Sequence, residues 1–409
     1  MRAYERFLGY VKINTMSCEE SDSVPSTAHQ FDLAHMLVKE LEALGIGAEC
    51  DEKCYVYAHI DATKGLEGLP AVGFISHLDT IPDFSGENVC PRVIPDYDGK
   101  DVDLGHGRVL SPADFPHLSG LAGRTLITTS GDTVLGADDK AGVAEIMTFA
   151  ERLVKGNIPH GKICIGFTPD EEIGRGADCF DVKRFGAAFA YTVDGGPEGE
   201  IDYENFNAAS AEFSVTGFNI HPGSAKDKMI NAALVAFEIN SMLPSGETPR
   251  DTEGYEGFFH LCSMKGDCSA ATLDYIVRDH LAGSFDARLV TLRHIEKLMN
   301  EKYGAGTVKL TIRDQYRNMK EKIEDCMYVV DIACDATRAE GLEPLIIPVR
   351  GGTDGARLSF MGLPCPNLGA GGYACHGPFE HITAEGMDKV VDILVSIVGQ
   401  ITDGKVSKK

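Results

Sequence analysis

Lys162-Ile163-Cys164-Ile165-Gly166-Phe167-Thr168-Pro169-Asp170-Glu171-Glu172 is an apolar run of strand length that ends in three consecutive carboxylates. Two other stretches repeat the plan. Residues 71–79, AVGFISHLD, run into His77 and Asp79; residues 187–196, AAFAYTVDGG, run into Asp194 and two glycines. Short continuous apolar runs bounded by turn residues read as strands buried on both faces. In an open α/β sheet, reactive groups collect beyond the carboxyl ends of such strands. Two more segments supply the same residue types: Gly136-Ala137-Asp138-Asp139-Lys140, and His376 with Glu380 four positions on. No single segment is specific. Their repeated place directly after a strand is what sets the group apart.

The chain has 409 residues, more than one hydrophobic core usually serves, so two domains are expected. With 43% hydrophobic and 8% aromatic residues, the composition is that of a soluble globular protein. A net charge of −24 leaves no basic stripe to neutralise phosphates, which argues against nucleic acid. Twelve cysteines with no C-x-x-C pair point to free thiols and a reducing, cytoplasmic setting. No apolar stretch approaches ~18 residues, so no membrane span is expected.

Residues 27–44 read as a helix, with Thr27 and Gln30 at capping-box spacing, a stripe of Leu33, Met36, Leu37, Leu41 and Leu44, and Gly45 as its stop. Strands are expected at 55–60, 71–76, 162–168 and 187–193. Residues 80–130 are rich in Pro, Gly and Asp and read as mainly irregular, a feature that often borders a functional crevice. Residues 141–155 form a helix with Asp138 near its N-terminus, where anionic groups and the metals they hold are well placed. This alternation predicts an α/β domain with a mainly parallel sheet and helices on both faces, over residues 1–205 and 319–409. Between them, residues 206–318 follow a β-α-β-β-α-β order: strands at 211–216, 258–264, 272–277 and 308–312, helices at 231–242 and 285–303. That is an inserted ferredoxin-like α+β domain. The first domain then resumes with a helix over 324–338, a strand at 345–349 and a closing helix over 384–402; the Lys408-Lys409 tail is expected to fray.

Imidazole nitrogen and carboxylate oxygen suit zinc, and a bridging carboxylate holds two ions about 3.5–4 Å apart. His77 and His376 would give one imidazole to each ion, Asp138 would bridge, and Glu172 and Asp194 would complete the two sets. Glu171 diverges from Glu172 on a tight loop and stays free to act as a general base. Asp79, two residues after His77, lies on its face and could orient its ring. Taken singly, the same residues have plain alternatives: His77 a satisfied polar side chain, Asp138 a helix N-cap, Asp139 a first-turn carboxylate, residues 351–355 a flexible turn without the lysine of a P-loop.

With these residues in place, the chain strongly resembles the peptidase T family, tripeptide aminopeptidases of the co-catalytic zinc exopeptidase group. The resemblance rests on residues 76–80 (SHLDT), 135–142 (LGADDKAG), 168–176 (TPDEEIGRG), 349–355 (VRGGTDG) and 361–367 (MGLPCPN). In the inserted domain it rests on 219–223 (NIHPG) and 253–258 (EGYEGF). It implies two Zn2+ per subunit held by His77, Asp138, Glu172, Asp194 and His376, with Glu171 as base and Asp79 orienting His77. It also implies a homodimer whose inserted domain serves as lid and dimerisation element. There His221 would reach the partner's site to steady the oxyanion, while Arg278 and Arg350 would grip the carboxylate of a short peptide substrate. One departure stands out: the family's His-Gly-Lys-His-Glu is here His376-Gly377-Pro378-Phe379-Glu380-His381. His376 keeps the four-residue step to Glu380 and is taken as the ligand, with His381 as the alternative. Rival readings are a related dipeptidase, carboxypeptidase or N-acyl amino acid deacylase, and a non-catalytic metal-dependent peptide-binding protein.

Overall fold

A computed structural model describes residues 1–404; the Lys408-Lys409 tail lies outside them. The chain divides into two compact units. One comprises Met1–Tyr203, Glu321–Ile347 and the chain from Thr353 onward; the other comprises Glu204–Lys320 and Pro348–Gly352. No helix among the described residues is long and apolar enough to cross a membrane.

The first unit is built on an eight-stranded mixed sheet. Its strands are β1 (Gly47–Cys50), β2 (Val56–Ile60), β3 (Val72–His77), β4 (Ile163–Thr168), β5 (Phe189–Val193), β6 (Glu200–Asp202), β7 (Leu345–Ile346) and β8 (Asn367–Leu368). The order across the sheet is β1-β2-β4-β3-β5-β8-β6-β7. The central run β4-β3-β5-β8 is parallel, while β1-β2, β2-β4 and β8-β6 are antiparallel. Every residue of β3, β4 and β5 is buried, as expected of parallel strands covered on both faces.

Successive residues of β3 show what covers each face. Phe74 meets Phe149 edge-on at 4.9 Å, on the helix Ala137–Gly156. Ile75 points the other way, into a cluster with Phe180, Phe185 and Leu358 from the helices Val182–Phe185 and Asp354–Phe360 and the loop before them. The helix Ala137–Gly156 approaches the sheet closely at Gly142, where a Cβ would stand 2.0 Å from the Val193 carbonyl. The helix of the expected stripe spans Gln30–Ala43, two residues later than a capping box with Thr27 as N-cap implied. Thr27 donates its hydroxyl to the Met16 carbonyl instead, and Gln30 turns inward to Asp170. A tertiary contact has displaced the local cap.

Residues 80–130 contain more order than their composition suggested. Arg92–Ile94 and Leu126–Thr128 join Gly372–Tyr373 and His381–Thr383 in a small four-stranded antiparallel sheet. Three-residue strands leave no periodicity to read.

The second unit has strands Asn207–Thr216, Phe258–Gly266, Ala270–Asp279 and Val308–Tyr316, with helices Ala232–Ser241 and Ala282–Tyr303. Its antiparallel sheet runs second-third-first-fourth, the ferredoxin-like order. Phe213, Leu273, Val277, Ile239, Phe285 and Leu292 fill its core. Its limits differ from the 206–318 expected, and it also takes residues 348–352. The expected strand 345–349 is broken: Leu345–Ile346 pairs with β6, whereas Val349 bridges Asn205 and donates to the Glu204 carbonyl at 2.9 Å. Pro348 stands between them and has no N–H to continue a ladder.

Glu145, within the helix Ala137–Gly156, is fully buried, and neither carboxylate oxygen has a hydrogen-bond partner among the described residues. Burial first, and Glu198 and Asp388 next, push its pKa well above the ordinary carboxylate range. The folded chain therefore keeps a proton that the unfolded chain releases above about pH 4.3. Stability falls as pH rises through that window, by about 1.4 kcal/mol per unit until the folded-state pKa is reached. Glu145→Met removes this slope. Its urea midpoint is expected to exceed the parent's at about pH 8, with the advantage shrinking toward about pH 5. Identical pH slopes for the two proteins would show that the carboxyl carries no such penalty.

Candidate metal centre

Three strand ends and one loop converge on Asp138. His77 ends β3, Asp194 follows β5, and Glu172 lies in the short 3-10 turn Glu171–Ile173 after β4. His376 sits in the loop between Gly372–Tyr373 and His381–Thr383 of the small sheet. Asp138 offers one oxygen to each side: Oδ1 is 3.0 Å from His77 Nε2, and Oδ2 is 3.2 Å from His376 Nε2. Asp194 Oδ1 lies 3.6 Å from His77 Nε2, and Glu172 Oε2 lies 3.1 Å from His376 Nε2. Two triads result, His77-Asp138-Asp194 and Asp138-Glu172-His376, each with donor atoms within 4.8 Å of one another and each able to hold a metal ion. Glu171 belongs to neither.

Buried carboxylates fix this frame by accepting backbone N–H groups. Asp79 Oδ1 accepts Glu171 N at 2.9 Å and Oδ2 accepts Glu172 N at 3.1 Å, so one side chain sets the turn that carries both glutamates. Toward His77 Nδ1, the Asp79 carbonyl at 3.1 Å is closer than its carboxylate at 3.4 Å. Asp139 accepts His77 N and Gly142 N, both at 3.2 Å. It is thus Asp139, not Asp138, that caps the regular part of the helix, since both residues have non-helical backbone angles. Glu380 accepts Leu135 N, Gly136 N and Asp138 N at 2.7, 2.9 and 3.0 Å. The four-residue step from His376 therefore ends on the residue that shapes the Asp138 loop.

The charges are balanced only with positive charge added. Burial, then the Asp138 charge, raises Asp194 to about 6 and Glu172 to about 7. Burial opposes ionisation of Asp138 too, but hydrogen bonds from His376 and His77 hold it far below the ordinary range. Bonds to Asp138 and Glu172 lift His376 to about 11. Burial pulls His77 down, yet its bonds to Asp138 and Asp194 prevail and raise it. Glu172 Oε1 is buried with no hydrogen-bond partner among the described residues. Two imidazoles, three carboxylates and an orphaned oxygen suit divalent cations that prefer nitrogen and oxygen.

His381, the alternative ligand, lies elsewhere. It is buried, stacks on His117 and Tyr373, and sits 2.8 Å from His117 Nε2 through its own Nε2. Its Nδ1 donates to the Phe379 carbonyl, and burial lowers its pKa to about 4. Phe379 packs on Phe115 at 5.6 Å in an apolar cluster with Tyr97, Leu104 and Leu118. The Pro378-Phe379 change thus ties the His376 loop to the 80–130 segment.

The second unit carries the other three residues. His221 is exposed; its Nδ1 accepts Gly223 N at 3.1 Å, which leaves the ring proton on Nε2. Arg278 is half-buried over the Tyr316 ring and donates to the carbonyls of Ala209 and Val277. No carboxylate pairs with it among the described residues, so the surface ion pair that is its plain alternative is not formed. Arg350 donates to the carbonyls of Thr252, Gly254 and Glu256 and to the Thr252 hydroxyl, above the rings of Phe206 and Phe258. Its terminal nitrogens hold the 252–256 loop.

Asp170 escaped the sequence reading. It is fully buried and accepts Ser26 N, the Ser26 hydroxyl and Gln30 Nε2, anchoring the turn one residue before Glu171. Its positive φ of 60° is a conformation that Asp tolerates better than most residues, but its partners lie some 140 positions away and leave no local signal.

His376→Ala is expected to lose roughly one metal equivalent, and His381→Ala to keep the parent's content. Metal analysis after dialysis decides; the reverse pattern would transfer the ligand role to His381.

Residues 136–400 match the model of peptidase family M20/M25/M40. Peptidase T of Clostridium acetobutylicum is 54% identical over 398 residues, covering 96% of this chain and 97% of that protein. Among solved structures, aminopeptidase PepT from Bacillus cereus ATCC 10987 superposes with a TM-score of 0.78 at 23% identity, covering 98% of each chain. The YXEP protein of Bacillus subtilis, described as a dinuclear metal binding peptidase from the M20 family, gives 0.63 at 14% identity, covering 97% of each chain. The chain belongs to peptidase family M20/M25/M40, in its peptidase T branch, and is a metallopeptidase.

Proposed function

We propose that the protein is a two-zinc aminopeptidase that removes the N-terminal residue from tripeptides. The observation that carries the reading is Asp138, shared by two triads, with Glu171 outside both on the adjoining turn. His77, Asp138 and Asp194 would hold one ion, and Asp138, Glu172 and His376 the other. When bound, such a pair lowers the pKa of a water and polarises the scissile carbonyl. Glu171 takes the proton of the attacking water and returns it to the leaving amine. Asp79 keeps Glu171 in place through its backbone N–H. The tripeptide preference rests on resemblance to the peptidase T branch.

Arg278, which lacks a carboxylate partner, is the side chain we assign to the substrate's C-terminal carboxylate; Arg350 supports the loop it bonds. Phe218, Leu234 and Phe237 are 56%, 64% and 62% exposed on the second unit, an apolar surface that favours a homodimer. In that dimer the partner subunit's His221 completes each site, its Nε2–H donating to the oxyanion. Twelve free thiols suit a cytoplasmic enzyme.

Glu171→Ala is expected to lose on the order of 10²–10⁴-fold in kcat while keeping the parent's metal content. Release of free amino acids from tripeptides, dipeptides and acylated amino acids, with and without chelator, gives the readout. Near-parental turnover would remove Glu171 from the mechanism, and equal rates on all three substrate classes would remove the tripeptide preference.

His221→Ala should bind metal and dimerise yet lose most of its kcat, by about 2.7–4 kcal/mol of transition-state stabilisation. Mixed with Glu171→Ala, it should regain activity, since one composite site per heterodimer then has both residues. If subunit exchange is verified and the mixture stays inactive, the shared site is wrong.

A further inference from the structure

Asn367, the last residue of the 361–367 segment, is 4% exposed at the start of β8. Its carboxamide has no spare hydrogen-bonding group on the nitrogen side. Oδ1 accepts the Thr192 hydroxyl at 2.8 Å, while Nδ2 donates to the Asp194 carbonyl at 2.9 Å and to Asp202 Oδ2 at 3.1 Å. Asp194 N in turn donates to the Leu368 carbonyl at 2.9 Å. The peptide groups on both sides of Asp194 are therefore held by residues 367 and 368. This matters because Asp194 opens onto Gly195 and Gly196, both at positive φ, a turn with little stiffness of its own. Ala370 N and Gly371 N pin the carbonyls of those glycines at 2.7 and 2.8 Å.

Only a carboxamide of this length meets the three demands. Aspartate has no donor for the two oxygens, and alanine would strand the Asp194 carbonyl, the Asp202 carboxylate and the Thr192 hydroxyl in a buried place.

We propose that Asn367 is a positioning residue for the metal centre: by fixing the Asp194 peptide, it aims the Asp194 carboxylate at the ion shared with His77 and Asp138. The inference rests on the two-ion reading above, and it applies to one ion only. Among the described residues, Asn367 has no hydrogen bond to Glu172 or His376, the residues that belong to the second triad alone.

The test uses zinc affinity, measured by competition with a chromophoric chelator in the full chain. In a His376→Ala background, where the His77 triad remains, Asn367→Asp should weaken zinc binding by about 10–100-fold. In a His77→Ala background, the same change should leave affinity within about twofold of its parent. Asp202→Asn combined with Asn367→Asp restores a hydrogen bond between β6 and β8 but leaves the Asp194 carbonyl without a donor. That pair should recover thermal stability without recovering affinity in the His376→Ala background. Affinity that returns together with stability would reduce Asn367 to a structural role and overturn the proposal, as would equal weakening in both backgrounds or none in either. Should the unsubstituted protein bind fewer than two ions, it is the two-ion reading that fails, and this inference falls with it.

Discussion

Everything in the first unit answers to one electrostatic constraint: three carboxylates and two imidazoles brought into a shared, largely buried space around Asp138. Like charges this close cannot all persist in a low-dielectric pocket without a compensating cation or bound protons. The shifts show the strain directly, with Asp194 and Glu172 pushed up and both histidines raised. The fold tolerates the arrangement because it removes freedom before the charges meet. Asp79, Asp139, Asp170 and Glu380 each accept backbone N–H groups, so the loops that present the ligands are set by hydrogen bonds independent of any ion. Such preorganisation keeps a metal site from collapsing on its own carboxylates.

How much of this could be read from the chain depended on the length of each signal. β3, β4 and β5 are continuous apolar runs, and the ligands that follow them were legible for that reason. The two-residue strand Asn367–Leu368 carries no pattern and stayed hidden, whereas Leu345–Ile346 was legible only as part of a longer strand at 345–349. Thr27 and Gln30 had the spacing of a capping box, yet a buried carboxylate from another loop outweighed it. A propensity worth about 1 kcal/mol yields readily to a charged, buried hydrogen bond. Asp138 and Asp139 illustrate the same limit. Either could cap the helix by sequence; the local bond to Gly142 N and the tertiary bond to His77 N assign that duty to Asp139 and free Asp138.

The two arginines of the second unit make a similar contrast. Both were expected to meet a substrate carboxylate, and sequence offers no means of separating them. Arg350 follows Pro348 and Val349, and its planar fork meets the carbonyls of the separate 252–256 loop. Arg278 lies along a strand and donates to the neighbouring carbonyls of Ala209 and Val277. Burial pulls its pKa down, and Tyr316 and Cys262 offset that only in part. A half-buried guanidinium with no carboxylate beside it among the described residues is costly to keep, which is the reason to look to a ligand for one.

The two halves of the metal centre are held unequally, and the difference follows from where their histidines sit. His77 closes a central strand and is 2% exposed, its backbone N–H and its ring both engaged. His376 is 48% exposed on a loop whose backbone is left-handed at both Ala374 and His376. The side of the triads built on strand ends is therefore the rigid one, and the side built on the small sheet faces solvent. A shared carboxylate links them, so any rearrangement at His376 is felt at Asp138 and passes to His77 only through Oδ1. On the proposed reading, the Asp79-bound turn gives the base Glu171 a fixed backbone beside the candidate ligand Glu172. That combination suits a proton acceptor which must stay in register while peptides enter and leave.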